Sequence, residues 1–150
     1  MRYGISAAAL VVRDGRLLLA HHVEPGRYDF WTPPGGGLEG EESILDCVRR
    51  EALEETGLVV EPRRIAYVEE FVEPGSHFCK FFVWCESDSG DLTLANREED
   101  EQMLIELRFW PQADLTGLTV YPSILEDQFW NDLEVGFPQT RYLGLSRIDA

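Results

Sequence analysis

Basic charge is scarce in this chain: 13 lysines and arginines face 28 aspartates and glutamates, leaving a net charge of -15. Such a field repels phosphate backbones and anionic headgroups, which excludes nucleic-acid polymers and membrane surfaces as partners. A small polyphosphate stays compatible only if a cation is interposed between the acidic protein and the anionic ligand. Cysteine is also sparse. Cys47, Cys79 and Cys85 are odd in number and form no C-x-x-C pair, which excludes a disulfide framework and a thiolate zinc site and makes a reducing cytoplasm the expected compartment. Long apolar runs are lacking too. Ile5 to Val12, eight residues preceded by the single basic Arg2, is too short for a signal peptide or a membrane span and reads as a buried strand. Repeats, low-complexity tracts and Pro/Ser-rich linkers are missing, so residues 1–150 are expected to form one domain.

What is present alternates between strand and helix signals. Ile5–Val12 and Arg16–His22 flank Asp14-Gly15, a dipeptide suited to the positive φ angles of a tight hairpin. Pro25-Gly26 and the run Trp31-Thr32-Pro33-Pro34-Gly35-Gly36-Gly37 hold so many breakers that a loop without regular structure is expected. A helix is predicted from Ser43, placed to cap, to Thr56, with Gly57 as a left-handed terminator and Ile44, Leu45, Val48, Ala52 and Leu53 as its inward face. Ile65–Glu73 and His77–Glu86 read as a second hairpin around Pro74-Gly75-Ser76. An acidic loop, Ser87 to Glu101, then leads to a strand over Met103–Trp110 and a second helix over Pro122–Glu134. Hairpins mixed with a helical crossover place the chain in the α/β or α+β class, a mixed sheet covered by helices.

Glu51, Glu54 and Glu55 stand at i, i+3 and i+4 of the first helix, so their side chains share one face. As bare anions in the last turn they repel one another and the negative end of the helix dipole, each effect costing about 0.3–1 kcal/mol. Oxygen-only ligands on a rigid element suit a hard cation, Mg²⁺ or Mn²⁺. A merely solvated acidic face would explain three glutamates at this spacing, but not the glycine loop Gly35-Gly36-Gly37 directly before the helix, where backbone can approach a ligand unobstructed.

Read from Gly36, the sequence gives Glu42 six residues on, then Arg50-Glu51-Ala52-Leu53-Glu54-Glu55-Thr56-Gly57-Leu58. This stretch resembles the Nudix box, G-x(5)-E-x(7)-R-E-U-x-E-E-x-G-U with U apolar, at every defined position. The resemblance implies an α/β/α sandwich with a central mixed sheet. It also implies a hydrolase that uses divalent metal ions to cleave a pyrophosphate bond in a nucleoside diphosphate linked to another moiety, a small-molecule nucleotide substrate. Glu51, Glu54 and Glu55 match the metal-binding glutamates, and the carbonyl of Gly35 matches a position that can complete the coordination shell. Arg50, Glu42 and Gly36 match residues that support the loop–helix geometry. Glu54 and Glu51 are the candidates within the box for the base that takes the proton from water, with Glu54 favoured.

A fourth acidic ligand is sought outside the box. Glu106 is the choice, because it points away from the apolar stripe Ile105, Leu107 and Phe109 on its strand; Glu98, Glu99 and Glu101 of the acidic loop are the alternatives. Trp31 and Tyr28 are candidates for stacking on a nucleobase, with a core position as the competing reading of Trp31. His21, His22 and His77 read as ordinary polar residues at strand ends, Cys47 as a packing residue, and the lone lysine, Lys80, has no functional reading. A nucleotide-sensing module that binds without cleaving is the competing function, and a homodimer is left open. Among substrates, ADP-ribose leads because Pro74 lies sixteen residues past Leu58, close to where ADP-ribose-cleaving relatives carry proline.

Overall fold

The structure is a computed structural model that describes residues 1–87 and 89–148. Asp88 within the acidic loop, and the last two positions of the expected 1–150 domain, lie outside the described residues.

The first hairpin forms as expected. β1 (Arg2–Arg13) and β2 (Arg16–Glu24) meet at Asp14 and Gly15, whose φ angles of 53° and 73° supply the turn. Their pairing is confined to this end, at Val12↔Leu17 and Arg13↔Arg16. Beyond it the two strands part. β1 runs parallel with β6 (Ser76–Glu86) and takes the short β4 (Gly35–Gly37) on its other edge. β2 is flanked instead by β3 (Tyr28–Thr32) and β7 (Leu104–Trp110). β5 (Glu61–Glu73) pairs with β6 and, on its far edge, with β8 (Arg141–Arg147), which completes a mixed sheet of eight strands split into two halves.

Two of these strands overturn the expectation of an irregular segment at Trp31–Gly37. Pro33 and Pro34 do interrupt the chain, but they fall between strands, where no ladder N–H is needed. Nothing larger fits at the first two glycines: a Cβ on Gly35 would lie 2.3 Å from the Ala7 carbonyl oxygen and 2.7 Å from Ala8, and one on Gly36 2.5 Å from Glu51, whereas Gly37 has room.

α1 (Ile44–Thr56) starts where the sequence placed it. Ser43 Oγ accepts from the Asp46 N–H at 3.0 Å, and Gly57, at φ 79°, donates its N–H to the Leu53 carbonyl. Its buried face differs from the expected one. Cys47, Val48, Glu51, Ala52 and Glu55 are buried, whereas Leu45 and Leu53 are 39% and 45% exposed. The apolar periodicity therefore placed the inward side about a sixth of a turn or more away, and turned two glutamates outward that the fold turns inward.

The second helix is broken. A 3-10 turn covers Ser123–Glu126, the backbone kinks at Asp127 (φ -136°, ψ -82°), and α2 spans only Gln128–Glu134, with the Asp127 side chain accepting from the Gln128 N–H. β8, which the sequence did not reveal, is docked by an ion pair. Arg141 grips the Asp132 carboxylate of α2 through Nε and Nη2, both at 2.9 Å, while Tyr67 Oη of β5 donates to the same carboxylate at 2.7 Å.

Two apolar cores lie on opposite faces of the sheet. Leu10, Leu17, Leu19, Tyr67, Phe82 and Phe129 fill the α2 side. Ala9, Val11, Leu18, Val48, Ala52 and Val83 fill the side under α1. α1 is thus held against the sheet by its apolar positions, and its glutamates are carried into the gap where β4 faces the other half of the sheet.

Candidate active site

The site begins with the glycine strand lying along α1. Gly36 leaves room for a carboxylate: a Cβ there would sit 2.5 Å from Glu51 Oε1. The Gly35 N–H donates to Glu55 Oε1 at 2.8 Å. A side chain on either glycine would displace the strand or the glutamate beside it.

Arg50 organises the N-terminal side. It grips Glu42 through Nε at 3.0 Å and Nη2 at 2.7 Å, reaches the Gly37 carbonyl at 3.0 Å, and donates through Nη1 to Glu51 at 2.9 Å and Glu54 at 3.2 Å. The bidentate fork fixes loop to helix with charge-assisted bonds. Arg50 holds the Glu42 carboxyl down at about 2, helped by the backbone bond from Glu39 N–H, and Glu42 in turn raises the guanidinium further. Cys47, tucked beneath, aims its Sγ at the Gly36 carbonyl at 3.5 Å, and burial pushes its thiol up to about 12. An un-ionised thiol is a packing group, as expected.

The C-terminal side of the helix is different. Glu51, Glu55 and Glu101 each bring a carboxylate oxygen to within 4.8 Å of the others. Burial pushes Glu55 up to about 9, with the Glu101 carboxyl adding to the rise and the Gly35 N–H opposing it. Burial likewise raises Glu51 to about 7 against the pull of Arg50, and raises Glu54 in the same direction. Buried beside other acids, Glu51 and Glu55 favour the proton over the charge, Glu51 in spite of its bond from Arg50. The same oxygens form a donor set for a hard divalent ion, which would convert each raised carboxyl to carboxylate.

Glu101 is the outside acid that the fold brings to the helix. It ends a 3-10 turn, Glu99–Glu101, in which Glu101 Oε1 accepts from the Glu98 N–H at 2.9 Å and so ties the acidic loop into a defined shape. Acidic residues crowd this loop, so the sequence could only name Glu101 beside Glu98 and Glu99. Glu106 is elsewhere. Leu107 and Phe109 pack on the α1 side of the sheet, so Glu106, on the alternate face, is turned away from α1. Its carboxylate lies 3.4 Å from His21 Nδ1, and His21 Nε2 lies 2.6 Å from Asp29. The fold thus brings Glu101 of the loop, and not Glu106 of β7, beside the helix glutamates.

Trp31 also departs from the substrate-binding expectation. It is 5% exposed, stacked on the His21 ring at 4.2 Å and met edge-on by Trp110 at 5.1 Å, so it offers no open face to a base. Tyr28 is half-buried on the opposite face of β3, against Phe30 and Arg27.

Comparison with known proteins bears on the family and the fold. The family model for the NUDIX domain matches residues 2–127. Phosphatase NudJ of Escherichia coli (strain K12) is 27% identical over 70 residues, 47% of this chain and 45% of that protein, so the match spans under half the length of these curated relatives. A NUDIX hydrolase from Nitrosomonas europaea superimposes with a TM-score of 0.76 at 16% identity, over 99% of this chain and 81% of that one. An ADP-ribose pyrophosphatase from Streptococcus suis gives 0.66 at 20% identity, covering 95% and 98% of the two chains. The MutT protein of Methanosarcina mazei gives 0.69 at 25% identity, over 91% and 96%.

Proposed function

The chain belongs to the NUDIX family, and on that premise we propose that it hydrolyses the pyrophosphate bond of a nucleoside diphosphate linked to another group, using Mg²⁺ or Mn²⁺. The observation that carries this reading is the meeting of Glu51, Glu55 and Glu101 oxygens within 4.8 Å, two of them in buried, proton-favouring positions beside a glycine strand. Such a donor set is costly for the fold unless a hard cation uses it. In this reading Glu51, Glu55 and Glu101 would hold the metal, with the Gly35 carbonyl and Glu54 as further candidate donors. A bound divalent ion supplies charge neutralisation of the diphosphate and acidifies the attacking water.

The remaining work falls to side chains. Glu54 is outside the three-carboxylate group and more exposed than Glu51, so it is the better placed to accept the proton of the attacking water. Arg50 orients Glu51 and Glu54 by donating to both, while Glu42 and the Gly37 carbonyl fix the guanidinium. Water attacks phosphorus, the P–O bond to the bridging oxygen breaks, and the electron pair leaves with the phosphate on its far side. ADP-ribose and nucleotide sugars are the first substrates to try, given the ADP-ribose pyrophosphatase and the UDP-X diphosphatase among the structural neighbours. Three free cysteines among the described residues accord with a cytoplasmic site of action.

The test is a panel of ADP-ribose, nucleotide sugars, dinucleoside polyphosphates and nucleoside triphosphates, assayed with Mg²⁺, Mn²⁺ or EDTA in ¹⁸O-labelled water. Turnover with either metal, none in EDTA and label in a phosphate product is the expected result. Unaltered activity in EDTA, or no turnover of any diphosphate compound, rejects the reading. Glu101→Gln should lower turnover by about tenfold or more and Glu106→Gln by less than about threefold; the reverse ranking returns the fourth ligand to β7.

A further inference from the structure

The single lysine of the chain occupies a position that the site described so far does not use. Lys80 stands on β6 in a cross-strand row with Ser6 of β1 and Glu69 of β5, and Ser6 is itself paired with Gly37 of the glycine strand. Between Lys80 and the edge of that strand the sheet therefore carries nothing larger than a serine hydroxyl. The ammonium leans toward the next row, 5.2 Å from the ring centroid of Phe82, and that row continues through Ala8 to Gly35, the residue whose N–H holds Glu55. Ser6 and Gly37 in one row, and Ala8 and Gly35 in the next, are thus the small residues that lie between β6 and the strand edge where Glu55 is held.

The surroundings of Lys80 are charged but leave it uncommitted. The negative fields of Glu55 and Glu69 reach it, and its own field reaches His22 on the other half of the sheet. Burial pushes it below the ordinary lysine value. Among the described residues no carboxylate lies within ion-pair distance of Nζ, in contrast to Arg50, which is paired with Glu39, Glu42, Glu51 and Glu54. Beside it, Ser6 Oγ is buried with no hydrogen-bond partner. A partly dry cation next to an unpartnered hydroxyl is a ready anion contact, because each gains a bond it lacks in the free protein.

We propose that Lys80, assisted by Ser6, binds the diphosphate of the substrate directly, taking phosphate oxygens on the side away from the carboxylate group. This rests on the hydrolase reading above and deepens it. In a protein of net charge -15, the ammonium supplies an attraction for the polyanion that is built into the sheet, whatever cation the glutamates hold. Lysine suits this position because its charge is compact and its stem is long and flexible.

The experiment uses methylenediphosphonate, a diphosphate that cannot be hydrolysed, titrated calorimetrically into the full chain with saturating Mn²⁺. Mn²⁺ binding alone is measured alongside for each variant. Lys80→Met keeps the length of the side chain and its contact with Phe82, and should weaken diphosphonate about tenfold, and at least threefold, while leaving Mn²⁺ affinity unchanged or tighter. Lys80→Arg should recover most of the loss. Diphosphonate binding within threefold of wild type in Lys80→Met overturns the proposal and leaves the hydrolase reading intact, as does a loss confined to Mn²⁺ affinity, which would make Lys80 a counter-ion of Glu55 and Glu69. Failure of the wild-type protein to bind diphosphonate with Mn²⁺ overturns both.

Discussion

Glu42 and Glu55 are the same residue type in one motif, thirteen positions apart, yet the fold treats them as opposites. Glu42, before the helix, has a guanidinium and a backbone N–H and is held at about 2. Glu55, in the last turn, has one backbone N–H, two neighbouring acids and little water, and is pushed to about 9. The first end of the motif is a finished structure, complete within the chain. The second gathers acids and leaves Glu55 without an ion-pair partner among the described residues. A motif of alternating acids thus divides into a clasp and a receptor, and the division is made by burial and by the reach of Arg50, not by residue type.

The comparison can be broken first at Glu55. Glu55→Gln removes the group that a proton or cation must neutralise but keeps its shape. Turnover should fall by at least about a hundredfold, equivalent to about 2.7 kcal/mol in the transition state, while the metal-free protein melts at the same or a higher temperature. A variant that is both active and less stable would place Glu55 with the clasp.

Arg50→Ala attacks the other end. It leaves Glu42, Glu51 and Glu54 without their shared cation, and should destabilise the protein by about 2 kcal/mol, read from denaturant unfolding. Breaking a fully buried pair costs more, about 3–5 kcal/mol, but this network is partly exposed and screened by water. Unchanged stability would mean that the clasp is ornamental and that the apolar face of α1 alone holds the helix.

The smallest expected effect sharpens the contrast through pH. The Glu55 carboxyl in the folded, metal-free protein titrates at about 9, above its ordinary value of 4.5. Its contribution to stability is therefore fully present below the unfolded value and lost as pH rises toward the folded one. Glu42 titrates at about 2 when folded, against the same 4.5, so its contribution is present above the unfolded value and lost as pH falls. Between about pH 7.5 and 8.5 Glu42 is silent and Glu55 is not, so a one-proton difference over one pH unit, about 1.4 kcal/mol, should lower the metal-free melting temperature by about 3–6 °C. Saturating Mn²⁺ should abolish the drop and Glu55→Gln should flatten it. A drop that survives in Glu55→Gln assigns the effect to another group, Glu51 being next.

Much of this was legible before folding. Asp14-Gly15 announced the first hairpin, Ser43 and Gly57 the limits of α1, and the Gly36-to-Leu58 motif the family, because turn chemistry, caps and ligand spacing are local properties. The motif also fixed which glutamates stand together on the helix, since positions i, i+3 and i+4 share a face whatever the helix packs against. Breaker residues misled at Gly35–Gly37, where close approach to Ala7 and Ala8 selects glycine for a strand, and Asp127 split a helix whose apolar spacing ran on unbroken.

Only the tertiary structure decided which acids meet. Leu107 and Phe109 pack beneath α1 and so turn Glu106 away, while a three-residue turn carries Glu101 in from a loop with no periodicity to read. Nor did spacing along the helix say that Glu51 and Glu55 would be buried and Leu53 exposed, because the face a helix hides depends on what it meets across the sheet. The sequence determined the set of carboxylates and the arginine that organises them. Their desolvation, the meeting with Glu101 and the placing of Lys80 two strands from the glycine strand arise from segments distant in sequence, and such long-range packing leaves no local pattern by which to foresee it.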